Sequence, residues 1–208
     1  MDLFERVELA RTRWNVLHHP FYRRWDAGAL SGAELAFYAG EYRHAVVALA
    51  GTAEQTATQA RPEWQDELRG HALEEAAHVE LWDTFAEGVG AEIGRAPLAG
   101  TRACAEAWLS ASDEAEGLVT LYAIEAGQPA VSLTKLNGLA NHYGVASEAP
   151  AASYFRLHAE LDHAHAAHSR RLLERCSHGA AERLAGVAER ALEANWKLLD
   201  GVESEFGR

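Results

Sequence analysis

Apolar residues recur every three or four positions along most of the chain, and no alternating β-branched run interrupts them. That periodicity belongs to helices rather than strands. Ala, Leu, Glu and Arg, all good helix formers, dominate. Residues 3–18 form a first amphipathic helix stopped by Pro20. Ser31 with Glu34 makes a capping box that opens a second helix to about Ala60, and Pro62 sits near the start of a third, to about Val89. The segment Gly90–Gly100 connects to a short helix around Thr101–Ser110. Asp113 can cap a long helix to about Tyr143, interrupted at Gly127–Pro129, because proline removes a backbone donor. Pro150 starts the next helix, and a last one fills roughly Ala180–Glu203. With no repeat or low-complexity tract, residues 1–208 are expected to be one all-α domain, a bundle of about seven helices.

Composition narrows the partners. Asp and Glu outnumber Lys and Arg 31 to 19, for a net charge of −12, so the surface repels nucleic acid. Cys104 and Cys176 lie far apart with no CxxC pair, which excludes a zinc ribbon and a disulfide framework. The first residues, MDLFERVELARTR, carry no apolar signal segment, and no apolar run approaches membrane-spanning length. A cytoplasmic protein without a membrane partner is the expectation.

Ligand-type residues collect on a few helix faces. In FRLHAELDHAHAAH, His158, Asp162 and His165 fall at i, i+4 and i+7, within roughly 60° of one another on a helix. In LEEAAHVELW, Glu75 and His78 form a Glu-x-x-His step of the kind that serves carboxylate-bridged di-iron bundles, with Glu74 as an alternative to Glu75. Glu125 lies in the apolar stretch LYAIEAGQPAV, where an unpaired carboxylate is costly. Glu41, in FYAGEYRHAVVALA, has a similar setting, although Arg43 or His44 could pair with it. Four carboxylates and three histidines can hold two Fe(II) ions and leave positions for O2. His18, His19, His163, His168 and His178 read as solvated.

The chain resembles the haem-oxygenase-like fold, and within it the di-iron oxidases and oxygenases, whose His-x-x-x-Asp-x-x-His step His158, Asp162 and His165 match. By this match His78, Glu125, His158, Asp162 and His165 fall on ligand positions. HPFYRRWDAGALSGAELAFYAGEYRHAV, LYAIEAGQPAVSLTKLNGLANHYGV and YFRLHAELDHAH are similar to segments of the p-aminobenzoate synthases. In that branch the ring is thought to come from a tyrosine of the protein, with help from a lysine, and Tyr22 and Lys135 occupy the corresponding places. The short EEAAH interval instead resembles the fatty-acid decarboxylases and the amino-acid-cleaving and N-oxygenating enzymes. The same fold hosts thiamin-salvage hydrolases, but IEAGQPA has no cysteine where those place their nucleophile.

The resemblance implies an O2-dependent oxidoreductase with two Fe(II) ions, in which Mn can replace one Fe and an external reductant can take part. Its small-molecule substrate would be an amino acid, an amine, a fatty acid or its own tyrosine. The alternative is a metal- or ligand-binding helical protein without oxygenase activity. Proteins of this fold often pair through outer helices, so a homodimer is compatible.

Overall fold

Helix starts follow the capping chemistry. Asp2 and Ser31 each accept the backbone N–H three residues on, and Glu5 and Glu34 reach back to complete capping boxes. Asp113 accepts from the N–H of Glu116 in the same way. The computed structural model describes residues 1–177 and 179–207, so His178 lies outside the described residues. Among these there are nine α-helices and no strand: α1 (Leu3–Arg13), α2 (Pro20–Asp26), α3 (Gly32–Gln59), α4 (Gln65–Gly88), α5 (Ala99–Trp108), α6 (Glu114–Glu125), α7 (Gln128–His142), α8 (Ser153–Cys176) and α9 (Ala181–Glu205).

Two differences from the expected seven helices account for the count. The long helix after Asp113 is divided at Ala126–Gly127, with Pro129 in the first turn of α7. The first helix ends at Arg13, and Pro20 begins α2 instead of stopping α1. A proline at the first helical position sacrifices only an N–H that had no partner. His19, expected in solvent, is 1% exposed: its Nδ1 caps α2 by accepting from Phe21 N, and Nε2 meets Asp200 at 3.0 Å. His168, also expected in solvent, is half-buried, 3.3 Å from Glu67.

α3 lies along α4, while α8 packs on α6 and α7, and α9 closes the bundle against α1, α5 and α6. Trp25, Trp82, Trp108, Phe21, Phe85 and Phe155 fill one continuous apolar core. Against this background the buried polar residues stand out, because charged side chains are rarely buried without partners. Seven of them, four histidines and three carboxylates, gather where α4, α6 and α8 meet. No helix among the described residues is long and apolar enough to cross a membrane.

Candidate metal centre

α4 presents His71, Glu75 and His78 on one face, α8 presents His158, Asp162 and His165, and α6 ends on Glu125. All seven residues are at most 6% exposed. The two long helices carry the same spacing, His-x-x-x-acid-x-x-His, at i, i+4 and i+7. They meet head to tail: the His71 ring lies 4.2 Å from that of His165, and the His78 ring 4.5 Å from that of His158. Glu75 sits between the pairs. Its Oε1 is 3.1 Å from His78 Nδ1, 3.5 Å from His165 Nδ1 and 3.8 Å from His71 Nε2.

One end of this group is built from His71, Glu75, Glu125 and His165, whose ligand-type atoms all lie within 4.8 Å of one another. Nitrogen and oxygen ligands stand about 2.0–2.2 Å from a small divalent ion, so opposite ligands are about 4.4 Å apart. The other end holds His78, His158 and Asp162, with His158 Nδ1 2.9 Å from both Asp162 oxygens.

The chemistry of the donor atoms tests whether metal fits. His71 Nε2, Glu75 Oε1, His78 Nδ1, both Glu125 oxygens, His158 Nε2 and His165 Nδ1 are buried without a hydrogen-bond partner. His71 Nε2 is only 2.9 Å from Glu125 Oε1, yet the pair lacks hydrogen-bond geometry. An isolated buried polar atom costs several kcal/mol, roughly 1–3 by mutational measures, so seven together are not tolerable as core. Cations among them would satisfy all seven at once. The residues fit a carboxylate- and imidazole-bound metal pair.

The carboxylates and imidazoles of the group are electrostatically linked. Burial raises the pKa of Glu75, but the neighbouring His165 and His78 imidazoles outweigh it and hold the group below the usual carboxylate range. Glu125 is pushed up by burial, only partly offset by His71. Burial disfavours the charged form of His165, yet Glu75, Glu125 and Glu74 raise its pKa to about 9. His71 is raised as well, because Glu125 outweighs its desolvation. Imidazoles that attract protons this strongly also attract metal ions, which displace those protons.

His71 was not among the residues singled out from the sequence. The signal was available, since His71, Glu75 and His78 repeat the spacing of His158, Asp162 and His165. Glu41 requires the opposite correction. The structure does not bring it to the group: its carboxylate takes Arg95 Nη2 at 2.6 Å, Leu98 N at 3.0 Å and Thr101 Oγ1 at 2.5 Å, tying α3 to the connection before α5. Arg43 pairs with Asp83 instead. Glu74, whose side chain is 55% exposed, does not reach the centre but holds His165 Nε2 at 2.9 Å. That contact leaves His165 Nδ1 facing inward, the usual work of a carboxylate behind a metal-binding histidine.

Tyr22 and Lys135 meet in a second buried chamber. Lys135 is 1% exposed, and its Nζ has no hydrogen bond or ion pair among the described residues. It stands 4.7 Å from the Tyr42 ring centre, 5.2 Å from Trp82 and Phe155, 5.4 Å from Tyr38 and 5.6 Å from Tyr22. Burial lowers its pKa to about 7. Tyr22 and Tyr38 share a hydrogen bond of 3.1 Å between hydroxyls, and burial raises both phenols above the ordinary tyrosine value. Tyr154 joins chamber to centre, its ring 4.1 Å from His158 and 4.9 Å from Trp82.

Comparison with known proteins places this architecture. The family described as iron-containing redox enzymes, of the haem-oxygenase type, matches residues 43–196. The chain is 26% identical over 212 residues to a 4-aminobenzoate synthase of Chlamydia muridarum, covering 96% of this chain and 89% of the relative. It is 27% identical over 221 residues to a 4-aminobenzoate synthase of Nitrosomonas europaea, covering 92% and 87%. A haem-oxygenase-like domain of unknown function from Shewanella denitrificans superposes with a TM-score of 0.83 at 19% identity, over 99% of this chain and 94% of that one. A TenA homologue from P. horikoshii gives 0.79 at 14% identity, over 97% and 98%.

Proposed function

As a chain that belongs to the haem-oxygenase-like iron-containing redox enzymes, this protein is an oxidoreductase, and we propose that it is a di-iron, O2-dependent 4-aminobenzoate synthase that consumes its own side chains. His71, Glu75, Glu125 and His165 would hold one metal, and His78, His158 and Asp162 the other, with Glu75 shared. When bound, the metal pair would supply the electrons that reduce O2 to an oxidant.

The observation that carries the reading is the state of Lys135. An amine with neither anion nor hydrogen-bond acceptor, and a pKa near 7, is substantially neutral at physiological pH and so has a lone pair to give. It faces the Tyr22 ring at 5.6 Å. Tyr22 would supply the aromatic ring and Lys135 the amino nitrogen. The hydroxyl of Tyr38 holds the Tyr22 phenol in place. Tyr154 lies between the metal ligands and the chamber, so an electron leaving the chamber has an aromatic path of short steps to His158. The surrounding Trp82 and Phe155 rings keep water out. Substrate recognition by surface groups is not needed. Arg156 is hydrogen-bonded to the Ser147 and Ala149 carbonyls and is not free to hold a substrate carboxylate.

The test is an anaerobic Fe(II) titration of the purified protein followed by O2 and reductant, with mass spectrometry of the small molecules and of the intact chain. We expect two irons per chain and 4-aminobenzoate without added substrate. Tyr22→Phe should bind iron equally and yield none. Unchanged output from that variant would remove Tyr22 from the reaction.

A further inference from the structure

A cavity of about 140 Å³ opens between α1, the α6–α7 break and α9. It is distinct from the metal centre but touches the Lys135 chamber, because Tyr42 lines both.

The cavity is graded from floor to mouth. At its floor lie Tyr42 and two buried amides, Gln128, 6% exposed, and Asn195, 8% exposed. The Asn195 and Gln128 amides lie beside the Tyr42 hydroxyl, and Asn195 Oδ1 remains buried without a hydrogen-bond partner. A buried acceptor left open in this way calls for a donor from a ligand, since its desolvation is otherwise uncompensated. Val16, Leu17, Val131 and Leu192 give apolar walls suited to an aromatic ring. At the mouth stands Arg11, whose Nη1 meets Glu8 and whose Nη2 donates to the Ala126 carbonyl, both at 2.9 Å. The Glu8 side chain is 63% exposed, so it can turn to solvent and yield the guanidinium to another carboxylate.

A buried acceptor, apolar walls and a cation around one cavity match a rigid aromatic acid with an amine at the opposite end. We infer that this cleft binds 4-aminobenzoate as it leaves the chamber, amine inward on Asn195 and carboxylate outward on Arg11. The inference rests on the synthase reading and adds to it the route and recognition of the product. The break at Ala126–Gly127 forms one rim, so Glu125 of the metal centre and Gln128 of the cleft lie three residues apart.

The test is isothermal titration of the iron-loaded protein, kept free of O2, with 4-aminobenzoate, benzoate and 4-aminobenzamide. We expect 4-aminobenzoate to bind about tenfold or more tightly than either analogue, a step of about 1.4 kcal/mol for each polar end. Arg11→Gln, a change at the partly exposed mouth, should erase the preference over the benzamide. Asn195→Leu, or Asn195→Ser if the leucine variant folds poorly, should erase the preference over benzoate. Trp14 lines the cleft, so its fluorescence should change on binding. No binding of 4-aminobenzoate at millimolar concentration, or equal affinity in wild type and both variants, would overturn the inference. Product formation is measured separately by mass spectrometry. Synthesis without binding would defeat the cleft and leave the synthase intact, whereas binding without synthesis would defeat the synthase and leave an aryl-carboxylate site.

Discussion

The neutral state of Lys135 can be tested through stability alone, independently of iron. Its pKa falls from 10.5 to about 7 on folding, because burial removes the ammonium from water. At about 1.4 kcal/mol per unit, that shift is a penalty on the order of 5 kcal/mol for carrying the charge into the core. Below pH 7 the amine is protonated folded and unfolded, and the penalty is present in full. Between pH 7 and 10.5 the unfolded chain holds a proton that the folded chain lacks, so stability rises with pH at up to about 1.4 kcal/mol per unit. Above 10.5 the penalty is gone. Lys135→Met keeps the length of the side chain and removes the charge. At pH 6 the variant should therefore be more stable than wild type by several kcal/mol, and the gain should shrink towards zero by pH 10. Urea denaturation of both iron-free proteins from pH 6 to 10 measures the difference, in which all other titrating groups cancel. Iron-free protein is needed because metal binding itself depends on pH. Parallel curves would refute the reasoning: the five rings would then be holding a full ammonium by cation–π attraction, and Lys135 would have no lone pair to give at neutral pH.

The metal site and its surroundings give three further expectations. His71→Ala should reduce tight Fe(II) binding from two ions per chain towards one, with a loss of affinity of at least about 10- to 100-fold at that end, read by equilibrium dialysis. Retention of two tight irons would exclude His71 from the ligand set. Glu41→Gln should leave iron stoichiometry unchanged while lowering stability by about 1–3 kcal/mol in urea, since it weakens the bonds from Arg95, Leu98 and Thr101; lost iron with unchanged stability would restore Glu41 as a ligand. Gly138→Ala would place a methyl group 2.5 Å from the Trp25 ring, so a loss of about 1–3 kcal/mol is expected in the same assay. A neutral effect there would mean that α2 and α7 are free to separate.

Much of the site was legible because its spacing is local. His158, Asp162 and His165 share a face by helix geometry alone, and a capping residue such as Ser31 or Asp113 acts on an N–H three residues away. His71 obeys the same i, i+4, i+7 rule on α4 and could have been read with equal warrant. What the sequence could not state is which faces meet. Glu41 and Glu125 look alike in their apolar stretches, yet one is neutralised by Arg95 and the other opens onto His71. Glu74 and Glu75 are adjacent and differ by about 100° of rotation, which sends one to the surface behind His165 and the other to the centre. Lys135 is singled out only through the resemblance, and nothing local marks it as buried until five aromatic rings from α2, α3, α4 and α8 close round it. Helix identity, its caps and the ligands within one face follow from interactions a few residues apart, so the chain determines them by itself. The pairing of charges, the desolvation of an amine and the convergence of seven donors depend on distances between helices remote in sequence, and only tertiary packing decides those.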